Sequence, residues 1–325
     1  MSKKIWQKHL KESIFDPDEL FAYLSLDQEF AAALEIKNNF PLKVTREYAS
    51  RIKKNDINDP LLKQILPGGS DLDIVSGYSL DPLLEKDFIR APGLLHKYHG
   101  RVLVTITGAC AIHCQYCFRQ NFPYEENTPS RSGWKKIIDY ISSDSSISEV
   151  IYSGGDPLMA KDSLLADLTA QLGAIKHLKR LRIHTRLPVV LPQRICESFF
   201  DWIDSVELQK VIVLHINHPN EIDAHVARAI RSLKEHEITV LNQSVLLRGV
   251  NDSAGVLAEL SEKLFSCGAM PYYLHMLDKV KGAEHFDLEE KEALKIYSEL
   301  RKLLSGFLLP RLVREVPGES SKVAV

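Results

Sequence analysis

Three of the chain's five cysteines fall within eight positions, in the run Cys110-Ala111-Ile112-His113-Cys114-Gln115-Tyr116-Cys117. A loop with C-x3-C-x2-C spacing can turn three thiolates towards one point, which is what a thiolate-ligated metal centre requires. A tetrahedral structural zinc would need a fourth ligand nearby. His113 adjoins Cys114 but is badly placed to join it on the same ion, and no other cysteine is close. Three thiolates and a vacancy suit a [4Fe–4S] cluster whose fourth iron stays open for a ligand. The plain alternative is three unrelated buried thiols, and cysteine's scarcity elsewhere in the chain argues against it.

At 325 residues the chain can form one large or two small domains with a sizeable core. A formal net charge of −2 gives no general electrostatic case for nucleic acid or acidic membranes. No run of about 18 apolar residues occurs, and the start Met1-Ser2-Lys3-Lys4 does not resemble a signal peptide. An odd, clustered cysteine set argues against a secreted disulfide framework. A soluble cytoplasmic protein is expected.

Residues 1–97 read as a mainly helical region. Asp16-Pro17-Asp18-Glu19 caps a helix whose Leu20, Phe21 and Leu24 share one face. The Asp-, Gly- and Pro-rich segment 56–92 reads as loops and short turns that wrap the core. From Arg101 onward the pattern is regular, with apolar, β-branched runs at 102–107, 149–152, 181–185, 211–216, 238–247 and 272–276. Helical spacing appears between them, as in Trp134, Ile137, Ile138 and Ile141, and in Val226, Ala229, Ile230 and Leu233. Six β-then-α units imply a parallel sheet with right-handed crossovers. The period leaves open a doubly wound sheet or a partial (β/α)6 barrel.

In either architecture active sites collect at the C-terminal strand ends. The cysteine loop follows the first strand and Ser153-Gly154-Gly155-Asp156-Pro157 the second. Gln243 and His275 lie late in the fifth and sixth. Glycines there let backbone approach a ligand closely, although an ordinary turn is the plain alternative. Tyr98, Arg101 and Arg119 bracket the cysteine loop, and an arginine two residues beyond Cys117 can pair bidentately with a carboxylate. His215 and His218 sit near a strand end. Gln243 is a polar group in an apolar strand and needs a partner. Lys322 lies three residues from the end and by itself reads as part of a solvated tail.

The cysteine motif resembles that of the radical S-adenosylmethionine enzymes, whose fold favours the six-stranded partial barrel. Taken together, the stretch from Tyr98 to Lys322 resembles the lysine 2,3-aminomutase family. The resemblance implies a [4Fe–4S] cluster on Cys110, Cys114 and Cys117. It implies S-adenosylmethionine contacted by Ser153, Gly154, Gly155 and Asp156, with His215 nearby. It also implies pyridoxal 5′-phosphate on Lys322, in a C-terminal segment marked by Pro317-Gly318, which reverses the tail reading. Tyr98, Arg101, Gln243 and His275 match cofactor-pocket positions, although His275 stands where the family usually has tyrosine. Arg119 matches the arginine that grips the substrate carboxylate. Asp278 matches one of two acids on the distal ammonium, and the second falls at Glu315 in place of aspartate. The implied division is 1–97, a helical region; 98–306, the barrel; and 307–325, the segment carrying the cofactor lysine.

The implied reaction converts (S)-α-lysine to (R)-β-lysine, and two distal acids select lysine because they would otherwise be left unpaired. The chain's end at Val325, Glu315 and the run from Tyr272 to Val280 resemble the branch serving elongation factor P and its lysyl ligase. Cys196 and Cys267 read as small buried hydrophobes. Implied partners are L-lysine and a flavodoxin- or ferredoxin-like electron donor, with no nucleic acid or membrane; a homo-oligomer is left open. The rivals are the same chemistry in lysine breakdown or β-lysine osmolyte synthesis, and a non-enzymatic iron–sulfur or zinc module.

Overall fold

The computed structural model describes residues 5–26, 40–67 and 75–325. Parts of the expected helical region (1–4 and 27–39) and of the expected loop segment (68–74) lie outside the described residues. Among the described residues ten strands form one sheet, ordered in space as in sequence. They are β1 (Ile89–Ala91), β2 (Leu94–Tyr98), β3 (Arg101–Thr107), β4 (Glu149–Gly154) and β5 (Arg180–Thr185). There follow β6 (Gln209–His215), β7 (Thr239–Val245), β8 (Met270–His275), β9 (Arg311–Arg314) and β10 (Val323–Ala324). Pairing is parallel from β3 through β9 and antiparallel at both edges.

That order decides between the two architectures left open by the sequence. A doubly wound sheet reverses its strand order part-way, so its helices lie on both faces. Sequential parallel strands with right-handed crossovers put every crossover on the same face. The result is a partial barrel whose other face is free to line an interior.

All six expected strands match to within about two residues, and β7 stops two residues short of Leu247. There the chain turns: Leu247 N–H donates to Asn251 Oδ1 at 2.8 Å, and Leu246 and Leu247 stay buried. A seventh parallel strand, β9, was not expected; four residues are too few to show a period. The crossover helices match their patterns. Arg131–Ser143 is capped by Ser130 and buries Ile137 and Ile141. Ala224–Glu235 is capped by Asp223 and buries Val226, Ala229, Ile230 and Leu233.

In the N-terminal part, the helix Pro17–Leu24 has Asp16 as its cap and buries Leu20, Phe21 and Leu24. The described remainder is less helical than expected, since β1 and β2 belong to the barrel sheet. Trp6, Leu20, Tyr48 and Leu61 share one continuous core with barrel residues as far as Ala269. Among the described residues no helix is long and apolar enough to cross a membrane.

Candidate active site

A cavity of about 770 Å³ runs through the barrel and reaches all three motif cysteines as well as Lys322. Its size suits a cofactor or small-molecule site. Cys110, Cys114 and Cys117 line one end, but they do not converge on a point as one ion would require. Among the described residues no group of three or more His, Cys, Asp or Glu side chains does so. A cluster takes each sulfur on a different iron and needs no such shared point. Burial and the neighbouring thiols push the Cys117 thiol up to about 12 and Cys110 well above its usual range. Such crowding calls for positive charge among the sulfurs. His113 is turned away: its ring nitrogen sits 2.7 Å from Pro41 O, and its ring stacks on Phe40.

Gly154 and Gly155 press against the loop that leads into Cys110. Gly154 has φ +125, and a Cβ there would lie 2.4 Å from Thr107 O. A Cβ on Gly155 would lie 2.6 Å from the carbonyls of Gly108 and Ala109. Asp156 spends its carboxylate on structure, accepting from Thr185 Oγ1 and from the backbone N–H of Leu158, Arg186 and Leu187. What this stretch can offer a ligand is therefore backbone, and Tyr124 Oη already donates to Gly154 O at 2.7 Å.

Arg186, beyond β5, was not read from the sequence. Its guanidinium reaches Cys114 Sγ at 2.6 Å, Tyr116 Oη and Gln64 Oε1 at 2.7 Å, and Glu221 Oε2 at 2.9 Å. Glu221 is fully buried and also accepts from the backbone N–H of Asn217 and His218. His218 itself caps a short turn through Asn220, which leaves His215 as the cavity histidine of the pair. Removing one partner of a buried ion pair strands the other charge. Glu221→Gln is therefore expected to destabilise the chain by about 3–5 kcal/mol. Chemical denaturation checks this, and an unchanged midpoint would contradict it.

At the far end β10 turns back along β9, pairing Val323 with Arg314. Lys322 is thereby set opposite Glu315, and Nζ donates to Glu315 Oε2 at 2.7 Å. This pairing replaces the solvated tail. Glu315 Oε1 accepts from Tyr98 Oη at 2.6 Å and from Lys97 Nζ at 2.9 Å. Burial opposes ionisation of Glu315, but these donors outweigh it, Lys322 first, and hold it well below the usual carboxylate range. Asp278 faces the same cavity; burial pushes its carboxyl up to about 7, against the pull of Lys322.

Arg101 stacks over Tyr98 at 4.5 Å. Gln243 finds its partner in His215, with the two side-chain nitrogens 2.9 Å apart across β6 and β7. Burial holds His215 at about 3 and depresses His184 and His275, so all three are neutral imidazoles. His184 and His275 each keep a buried Nε2 without a protein partner.

Arg119 is buried beside the cysteine loop. Its Nε and Nη2 donate to the two carboxylate oxygens of Glu85, at 2.7 and 2.6 Å, and Nη1 donates to Ser153 Oγ at 2.8 Å. Glu85 lies in the loop-rich segment and carried no sequence signal.

Residues 99–184 match the family model described as a 4Fe-4S single cluster domain. The L-lysine 2,3-aminomutase of Haemophilus influenzae is 49% identical over 98% of this chain and 94% of its own. That of Escherichia coli is 47% identical over 99% and 94%. The chain belongs to the lysine 2,3-aminomutase family. The Clostridium subterminale aminomutase is more distant, at 35% identity over 98% of this chain and 77% of its own.

Lysine 2,3-aminomutase chemistry uses a [4Fe–4S] cluster, S-adenosylmethionine and pyridoxal phosphate, and the cavity's donor set fits all three. Crowded thiols at one end suit iron. Arg101, Arg182 and Arg311 also line the cavity. Those cations, with Lys322 and the unpartnered nitrogens of His184 and His275, suit a phosphorylated aldehyde.

Proposed function

We propose that the chain is a lysine 2,3-aminomutase that converts free L-lysine to β-lysine. The observation that carries this reading is Lys322, pinned by β10 against Glu315 inside the cavity that the three cysteines line. When bound, the cluster with S-adenosylmethionine supplies a hydrogen-abstracting radical, and pyridoxal phosphate makes migration of the amino group between adjacent carbons accessible. Cys110, Cys114 and Cys117 hold the cluster, and the backbone of Gly154 and Gly155, with His215, lines the S-adenosylmethionine side. Lys322 holds pyridoxal phosphate, with Tyr98, Arg101, Gln243 and His275 around it.

Arg119 takes the substrate carboxylate, while Asp278 and Glu315 take the distal ammonium. Glu315 already carries an alkylammonium, that of Lys322, which supports its suitability for a second one. In this reading residues 98–306 form the radical-generating barrel and 307–325 carry the cofactor lysine. An electron from a flavodoxin- or ferredoxin-like donor starts each cycle.

Asp278 gives a pH test. Its raised pKa leaves it neutral in acid, and a neutral carboxyl holds an ammonium poorly. The KM for lysine is expected to fall as pH rises through about 7, and Asp278→Asn should flatten that part of the profile. A wild-type profile with no change between pH 6 and 8 would contradict the assignment.

The pathway reading is modification of elongation factor P in the cytoplasm, through a ligase that consumes β-lysine. It rests on Glu315 and the run from Tyr272 to Val280. Growth complementation tests it: loss of β-lysyl elongation factor P on deleting the gene supports it, and unchanged modification opposes it.

A further inference from the structure

Glu85 is a buried carboxylate in the cavity that the mechanism above leaves unused. It arrives there through an unusual backbone bend. Leu84 sits in the left-handed region (φ 50, ψ 41) with its side chain exposed, and Asp81 Oδ1 accepts from the Glu85 N–H at 3.1 Å. Non-glycine residues rarely adopt that conformation, and such strain concentrates at functional sites. The bend turns Glu85 inward onto Arg119.

The geometry of that pair is specific. Nε and Nη2 form the side-on edge of a guanidinium, and Glu85 occupies both. Ser153 takes one N–H of Nη1. These bonds use three of the five donors. One N–H on Nη1 and one on Nη2 remain; the Nη2 one lies on the end-on edge, and with Ser153 on the outer hydrogen of Nη1 that edge would offer a carboxylate a second bidentate face. The rings of Phe118 and Phe122 lie 5.1 and 5.8 Å from the guanidinium carbon. Without Glu85 the fork would be held by hydrogen bonding through Nη1 alone.

The charges of the cavity agree with this role. Lys97 and Lys322 share Glu315, and Arg119 is matched by Glu85. Glu85 is therefore engaged by a cation of its own and is not a third acid for the substrate ammonium.

We propose that Glu85 is the positioning residue for Arg119, locking its side-on edge so that the end-on edge receives the carboxylate of the amino-acid substrate. This rests on the aminomutase reading, in which Arg119 binds that carboxylate. It also gives the N-terminal part of the chain a share in substrate selection.

The test uses reconstituted holoenzyme, comparing wild type with Glu85→Gln, which keeps the shape but cannot accept both N–H bonds. Glu85→Asp keeps the charge but is one methylene shorter, and serves if the glutamine variant fails to fold. In either variant the KM for L-lysine should rise tenfold or more while kcat changes less than threefold. Inhibition by pentane-1,5-diamine, which has both nitrogens and no carboxylate, should stay within twofold of wild type. A merely structural loss would weaken lysine and the diamine together, and that outcome overturns the proposal. So does an unchanged or lowered lysine KM; a lowered one would make Glu85 a competitor of the substrate carboxylate. Wild-type holoenzyme that converts no lysine would instead overturn the aminomutase reading itself.

Discussion

Lys322→Ala is expected to abolish the visible absorbance of bound pyridoxal phosphate and to lower turnover by a factor on the order of 10³ or more. That is the scale on which loss of a covalently engaged catalytic group is felt. The fold should survive the change. Glu315 keeps two of its three donors, Tyr98 at 2.6 Å and Lys97 at 2.9 Å, so no buried carboxylate is stranded. What is lost is the one amine that β10 presents to the cavity. Lys322 Nζ bonds Glu315 and none of the three cysteines, so iron content and the spectrum of the reduced cluster should match wild type. Absorbance spectroscopy and iron analysis on one sample check both halves. Full turnover in this variant would refute the assignment of Lys322.

Cys114→Ala should give the reciprocal result. Removing one of three thiolates leaves the cluster short of a protein ligand, and iron content and the reduced-cluster signal should fall to near background. Turnover should become undetectable, because hydrogen abstraction has no source. Pyridoxal absorbance should persist, since Lys322, Glu315 and Tyr98 are untouched. Arg186 loses its sulfur contact but keeps Glu221, Gln64 and Tyr116, so the buried cation remains paired. An intact, redox-active cluster in this variant would overturn the ligand assignment. The two variants separate the two ends of the cavity by different spectroscopic signals.

Much of this arrangement could be read from the chain because its elements are long and periodic. Six apolar, β-branched runs with helical patterns between them gave the parallel strands β3 to β8. The C-x3-C-x2-C spacing located one end of the cavity by local geometry alone. Gln243 and His215 show the same logic, a polar residue in an apolar strand finding its partner across the sheet at 2.9 Å.

What stayed hidden was short or non-local. β9 and β10 have four and two residues, so neither shows an alternation, yet their pairing sets Lys322 against Glu315 in the cavity. Lys322 drew notice only through family resemblance. Arg186 and Glu221 meet across 35 positions, and Glu85 and Arg119 across 34, with no spacing rule to join them. The two glycines were legible as a close approach, but to the neighbouring loop as much as to a ligand. Asp156 shows the same limit: its carboxylate is consumed by four structural donors. Among the described residues of the N-terminal part, the loop-rich segment that read only as cover delivers Glu85 to the cavity.

The most direct test of the central claim is an anaerobic assay. The chain is reconstituted with iron and sulfide, then supplied with reductant, S-adenosylmethionine and L-lysine, with and without pyridoxal phosphate. Mass-resolved chromatography reads the products. β-Lysine formed only when both S-adenosylmethionine and pyridoxal phosphate are present is the predicted result. No β-lysine from protein with a verified cluster and bound pyridoxal phosphate would contradict it, and 5′-deoxyadenosine alone would place the radical chemistry on another substrate.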